Sequence, residues 1–361
     1  MSGMQRNRRT AVTETLVSTV VEQVPRHRFI PDRIWDGTEP VDRTQTPDRW
    51  WQLVDADTAV VTQIDEGRVG GMGVPTSSSS APSVVAAMLD ALDVQPGQQV
   101  LEIGTGTGWN AALLCELVGD ADRVTTIEVD PVVAAQARKA LGAAGYEVRV
   151  VVGDGAEGFP ALAPYDRIIA TCAVWEVPHA WLTQVRDGGI IVTPWSPQRF
   201  GPHGALARLQ VRDGAAEGRF LQEAAFMWLR SQRWSGGPPH DLEADPEETR
   251  MVDGGQELLA DTTVMLPLTL MVPHWNYGLR SSADGLVMLL SATDSPSWAR
   301  VYPDRVEQGG PRRLWEELEQ AHAWWVQRGR PEVSEFGLTV GPQGHVVWLE
   351  SPDGPSWQHV V

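Results

Sequence analysis

Lysine is almost absent. Among 29 lysine and arginine residues in a chain of 361, Lys139 is the one lysine, and skewed codon usage is the simplest account. Positive charge as a whole is scarce: 47 acidic residues leave a net charge of −18. That balance repels phosphates and argues against nucleic acid as a partner. Cysteine is nearly missing too. Cys115 and Cys172 lie in apolar stretches and are expected as buried free thiols, with neither a disulfide nor a metal site. No apolar run reaches the roughly 18 residues needed to span a bilayer. The start, MSGMQRNRRTAVTE, is basic but has no apolar core behind the charges, so it does not read as a signal peptide. A cytoplasmic protein with no membrane partner is the expectation.

What is present suffices for more than one core. The chain is 42% hydrophobic and too long for one ordinary domain, which predicts two. The stretch QQVLEIGTGTGWNAALLCELVG (98–119) reads as strand, glycine loop and helix. Val100, Leu101 and Ile103 make a short buried strand. Gly104, Gly106 and Gly108 allow a tight turn and close approach of a ligand. The helical run over 111–118 turns its N-terminal N–H groups toward that ligand. RVTTIEVDP then supplies a second strand ending in Glu128, twenty residues after Gly108. A carboxylate there can accept both ribose hydroxyl protons; the plainer reading is a solvated strand end.

The spacing excludes a dinucleotide. In G-x-G-x-x-G counted from Gly104, the last glycine falls at Trp109. Glu102, just before the loop, would repel a pyrophosphate. A nucleoside carrying positive charge fits better, and S-adenosyl-L-methionine is one. The alternation continues. Helix 131–142 precedes the strand and turn of EVRVVVGDGAEGF, where Asp154 can accept from an adenine amine and Gly155 leaves room for the ring. Strand YDRIIATCAV, helix 179–186 and strand GGIIVTPW follow. Alternating strands and helices predict a doubly wound parallel sheet with its ligand at the strand C-termini.

VLEIGTGTGWNAALL, VTTIEVD, VVGDGAEGF and APYDRIIATCAVWEVP, with EQVPRHRFIPD upstream, resemble the protein-L-isoaspartate O-methyltransferase family in order and spacing over roughly residues 10–200. The resemblance implies an α/β class I SAM-dependent methyltransferase, a Rossmann-like doubly wound sheet. It implies cofactor contacts from Glu102, Gly104, Thr105, Gly106, Gly108, Glu128, Val129, Asp154, Gly155 and Thr171. It also gives the run VPTSSSSAPS (74–83) a meaning. On composition alone, four serines read as a flexible linker. The family carries T-x-S-x-P before a helix, and residues 78–82 match that frame. Ser80 aligns with the family's site serine and is expected to be catalytic. Ser78, Ser79, Ser80 and Ser83 are expected to meet the substrate. Pro82 suits a first helical turn, and Val85, Met88, Leu89 and Leu92 give its buried face.

Two departures stand out. The family commonly has an aromatic or histidine where this chain has Ser83. The repair type also ends soon after the sheet, whereas this chain continues for about 150 residues. The expected organisation is a helical N-terminal segment (1–75), the methyltransferase core (76–235) and a C-terminal α+β extension (236–361) for peptide recognition. In the extension TTVMLPLTLMV and GLVMLLSA read as strands, 312–327 as a helix, and the tryptophans as core. Residues 236–250 read as an exposed linker or flap.

The whole resembles extended homologues that tailor ribosomal peptides of lanthipeptide or graspetide type. Those methylate an aspartate in a macrocyclised precursor, and the ester closes to an aspartimide. A cyclised precursor peptide, and a peptide ligase or lanthionine synthase of the same pathway, are then the expected partners. A repair isoaspartyl methyltransferase with an added domain is the alternative, and a catalytically idle SAM-fold binding protein a third. An aspartate carboxylate is ionised at neutral pH (reference pKa about 3.9), so its attack on a methyl needs no base. His179 and His203 are therefore not required.

Overall fold

A computed structural model describes residues 15–199, 204–234, 244–252, 262–282 and 285–359. The N-terminal segment is not simply helical. Helices α1 (Leu16–Gln23) and α2 (Pro47–Asp55) accompany a four-stranded sheet of β1 (Arg33–Asp36), β2 (Glu39–Asp42), β3 (Val60–Ile64) and β4 (Pro75–Ser79), in the order β2-β1-β3-β4. The missed signal is Asp36–Gly37: Gly37 adopts φ 61, which closes a two-residue hairpin between β1 and β2. The serine run is therefore a strand, not a linker, and α3 (Pro82–Leu92) follows it. Pro82 opens the helix, and Val85, Met88, Leu89 and Leu92 are buried as the spacing predicts.

The core alternates as read. It runs β5 (Val100–Ile103), α4 (Trp109–Val118), β6 (Val124–Glu128), α5 (Pro131–Ala144), β7 (Arg149–Val152), β8 (Tyr165–Ala170), α6 (His179–Gln184) and β9 (Val185–Trp195). Strands β7-β6-β5-β8-β9 are parallel neighbours. The chain leaves β5 toward β6 and β7, then returns to β8 on the other side. That reversal opens a crevice at the strand C-termini.

The sheet does not stop there. The hairpin β10 (Ala205–Arg212) and β11 (Ala215–Glu223) adds antiparallel strands beside β9. The chain then builds a separate five-stranded sheet from β12 (Glu248–Met251), β13 (Trp275–Ser282), β14 (Gly285–Ala292), β15 (Trp298–Val301) and β16 (Arg305–Gly309). With α7 (Met265–Met271) and α8 (Leu314–Gln327) it has its own buried cluster around Trp275, Trp315 and Trp325. Finally β17 (Phe336–Gly341), β18 (Gly344–Leu349) and β19 (Ser356–His359) return to the main sheet, β17 pairing with β11. The main sheet thus has ten strands, and it crosses position 235.

One strand expectation is corrected. TTVMLPLTLMV is a buried helix, α7. Pro267 has no N–H for a strand ladder, but in the first helical turn that donor would have no partner anyway. GLVMLLSA is the strand β14, and α8 begins at Leu314 rather than 312. Within 236–250 the last residues enter β12, and 236–243 lie outside the described residues. Among the described residues, no helix is long and apolar enough to cross a membrane.

Candidate active site

Most of the expected residues line one cavity at the C-terminal ends of β5, β6 and β8: Ser78, Ser79, Ser80, Glu102, Gly104, Thr105, Gly106, Glu128, Val129, Asp154, Gly155 and Thr171. Gly108 and Ser83 do not. Gly108 caps α4 at φ 88, and a Cβ there would press on Leu141; it serves helix packing. Ser83 is exposed, and its N–H donates to Asp57 Oδ1 at 2.9 Å. The exposed start of α3 is thus satisfied by Asp57, whose carboxyl that bond lowers, and Ser83 is removed from the expected substrate contacts. His179 is exposed and off the cavity, and His203 lies outside the described residues.

The acidic end is built by burial. Glu102 is 0% exposed; Oε1 accepts from Asn110 Nδ2 at 2.7 Å, while Oε2 has no hydrogen-bond partner among the described residues. Burial pushes its carboxyl up to about 7. Sequence reasoning missed Asn110, although an Asn one step into α4 and eight residues after Glu102 was visible. Glu128 accepts from the N–H of Gly106 at 2.9 Å and of Asp130 at 3.1 Å. Burial raises its carboxyl as well. Each of its oxygens keeps a lone pair for a hydroxyl. Asp154 Oδ1 accepts from Ala156 N–H and Ser231 Oγ. A Cβ on Gly155 would run into Ile103. Gly104 and Gly106 hold φ 94 and 53, where side chains are disfavoured, and leave bare backbone facing the cavity. Thr171 Oγ1 donates to Gly104 O at 2.6 Å and fixes the turn. Cys172 also lines the cavity, and burial raises its thiol far above the ordinary range, so it is no nucleophile.

The serine strand shows period two. Ser77 and Ser79 are buried at 8% and 3%, and both are taken: Ser77 Oγ bonds Thr62 Oγ1, and Ser79 Oγ accepts from Arg26 Nε at 3.1 Å. The hydroxyls of Ser78 and Ser80 have no protein partner among the described residues and line the cavity. Further lining comes from 225–230, which no sequence pattern singled out. There Arg230 and Arg233 both reach Glu66 Oε1 at 3.1 Å, and Arg68 reaches Oε2 at 2.8 Å. Three guanidinium groups thus share one carboxylate, and of these residues Arg230 lines the cavity.

A family model for protein-L-isoaspartate(D-aspartate) O-methyltransferase matches residues 4–233. The chain belongs to that family. It is 51% identical over 116 residues to the protein-L-isoaspartate O-methyltransferase of Ignicoccus hospitalis, covering 32% of this chain and 55% of the relative. The chain thus spans about half of that relative's length. With the enzyme of Methanococcus maripaludis it shares 36% identity over 208 residues, 57% of this chain and 83% of the relative. A solved structure named protein-L-isoaspartate O-methyltransferase superposes on 93% of this chain and 95% of its own at 22% identity and TM-score 0.53. The fold is therefore that of a class I SAM-dependent methyltransferase, and the likeness extends through the C-terminal region.

The family's methyl donor, S-adenosylmethionine, fits the cavity's chemistry. Glu102 Oε2 is a buried acceptor without a partner, which suits a cationic ligand. Glu128 and Asp154 can take hydroxyl and amine protons.

Three outcomes are expected. Glu128→Ala should weaken S-adenosylmethionine binding by about 1–3 kcal/mol, the scale of a hydrogen bond to a charged group; unchanged affinity in calorimetry would contradict the assignment. A cation beside Glu102 favours its ionised form. Below about pH 7 binding must release a proton, so affinity should fall with acidity there and be level above it. Calorimetry from pH 5.5 to 8 reads this slope, and Glu102→Gln should remove it; a slope surviving in that variant refutes the account. Finally, Ser80→Ala should lower turnover far more than Ser77→Ala, whose hydroxyl is spent on Thr62. Equal rates in both variants would end the site reading of the run.

Proposed function

We propose that this chain esterifies the free carboxylate of an isoaspartyl residue in a polypeptide. The observation that carries the reading is the pair of hydroxyls, Ser78 and Ser80, that have no protein partner among the described residues and share one cavity with the buried acids Glu102 and Glu128. The buried acids suit the cationic donor, and the two serines and Arg230 in the same lining suit a carboxylate.

The chemistry then needs little from the side chains beyond placement. The bound cofactor supplies an electrophilic methyl on sulfur. Ser80 donates to one oxygen of the substrate carboxylate and leaves the other free to attack. Arg230 draws the anion inward. The carboxylate is already ionised, so no base is required, and orientation supplies the rate. Esterification turns the carboxylate oxygen into a methoxide leaving group. The following backbone nitrogen can then close the five-membered imide.

Methylation of an ordinary aspartate in a cyclised ribosomal peptide is the second reading. Two departures pointed to it, and each has lost weight. Ser83 is exposed and bonded to Asp57, away from the cavity. The extension has a counterpart in a solved structure named for the isoaspartyl enzyme.

A mass-spectrometric competition separates the two. A linear isoaspartyl peptide should gain a methyl ester first, then lose methanol to a species one water lighter than the starting peptide. Its ordinary aspartyl twin, linear or macrocyclised, should react more slowly. Faster methylation of the macrocyclic aspartyl peptide would reverse the assignment.

A further inference from the structure

A second cavity opens where the loop after β9, strand β19, α7 and the start of β13 meet. Four tryptophans, Trp175, Trp234, Trp275 and Trp357, stand in its walls. In a chain of net charge −18, its lining among the described residues contains no Asp or Glu. It does contain Arg199, whose guanidinium carbon sits 4.0 Å from the centre of the Trp175 ring. Arg199 has no carboxylate partner among the described residues, and its Nε is buried without a hydrogen bond.

Two further polar groups are orphaned here. Among the described residues, Trp275, 1% exposed, has no acceptor for its Nε1. His359 lies edge-on to Trp175 at 4.9 Å, its Nε2 likewise without a partner among the described residues. Burial holds His359 down to about 4, so at neutral pH its ring is uncharged and Arg199 supplies the cation. Buried polar groups without partners are rare in folded proteins, and three in one aromatic-walled cavity point to a ligand. The ligand that satisfies them has an anionic acceptor next to an apolar or aromatic group.

The second cavity is joined to the first by two segments. Ala173 N–H donates to Met227 O, and Leu229 N–H donates to Ala173 O. Gln232 Oε1 accepts from the N–H groups of Trp175 and Glu176 at 2.7 and 3.0 Å. Cys172 lines the cofactor cavity and Trp175 the second. Three residues of chain span at most about 11 Å, so an extended substrate crosses between the nearest walls in about three to five residues.

We propose that this cavity is a second subsite for the polypeptide substrate, holding a segment in which a carboxylate side chain adjoins an aromatic one. The carboxylate meets Arg199, and the aromatic ring stacks among the tryptophans. Its catalytic consequence rests on the isoaspartyl reading above; its ligand chemistry does not.

The test uses the full chain and has two arms. In calorimetry, a capped peptide with a central Phe-Glu pair and no isoaspartate should bind, and its Ser-Gln counterpart should not. Arg199→Gln and Gln198→Glu should each weaken that binding at least tenfold, the second by placing a negative charge in the wall. Circular dichroism and the thermal midpoint check that both variants fold. In kinetics, an isoaspartyl peptide with Phe-Glu three to five residues away, on one side or the other, should show KM about tenfold below the Ser-Gln version at equal kcat. Both variants should erase that difference. Binding indifferent to both substitutions overturns the subsite. So does a response to free N-acetylphenylalanine without one to the peptide, which would make the cavity a small-acid site. If no isoaspartyl peptide is methylated at all, the proposed function fails, and calorimetry still decides the subsite.

Discussion

A buried guanidinium sets the geometry of the site. Arg26 is 7% exposed and makes five hydrogen bonds, to Ser79 Oγ, Ser79 O, Val54 O, Ala56 O and Thr58 O. Burial lowers its pKa to about 10, still well above neutrality, so the charge persists and must be solvated by the protein. One side chain thereby ties the turn after α1, the end of α2 and the serine strand together. Because strand side chains alternate, fixing Ser79 inward fixes Ser78 and Ser80 outward, toward the cavity. A slip of one residue would exchange the bonded hydroxyls for the free ones. The N-terminal segment is therefore part of the site, although Arg26 does not line the cavity.

The cavity brings buried carboxylates and one arginine, Arg230, into the same lining. Carboxylates at the ends of β5 and β6 are starved of water, and burial raises both pKa values. Arg230 shares Glu66 with Arg68 and Arg233. Glu66 itself holds φ 57, a conformation costly for its type, so its place between the arginines is imposed by the surrounding structure.

Legibility followed periodicity and local chemistry. The parallel core was readable because strands, glycine turns and helices alternate at short range, and the expected cofactor residues lie at or just past the ends of strands β5, β6, β7 and β8. The face of α3 was readable from its spacing. What escaped had no local signature. Arg230 and the wall at 225–230 reach the cavity through long-range contacts, among them the pairing of Ala173 with Met227 and Leu229. Ser83 was misjudged because its frame suggested a contact, while its partner, Asp57, lies 26 residues upstream. Helix α7 was misread because a continuous apolar run fits a strand or a buried helix equally, and only the proline argued for the helix.

The division of the chain into a core and an extension is a matter of sequence more than of structure. Strand β11 is an interior strand only because β17 pairs with it; without 336–359 its ladder would be an unpaired edge. Gly218 of β11 and Gly337 of β17 lie so close to the neighbouring backbone and the Trp348 ring that neither admits a Cβ. His345 of β18 accepts the N–H of Val177, in the segment between β8 and α6. Burial pushes that histidine down to about 4, and this keeps Nε2 free to accept at neutral pH. The loop that carries Cys172 toward the cofactor and Trp175 toward the second cavity is thus held from one side by Gln232 and from the other by the last strands of the chain. The same constraint that completes the sheet positions the segment between the two cavities.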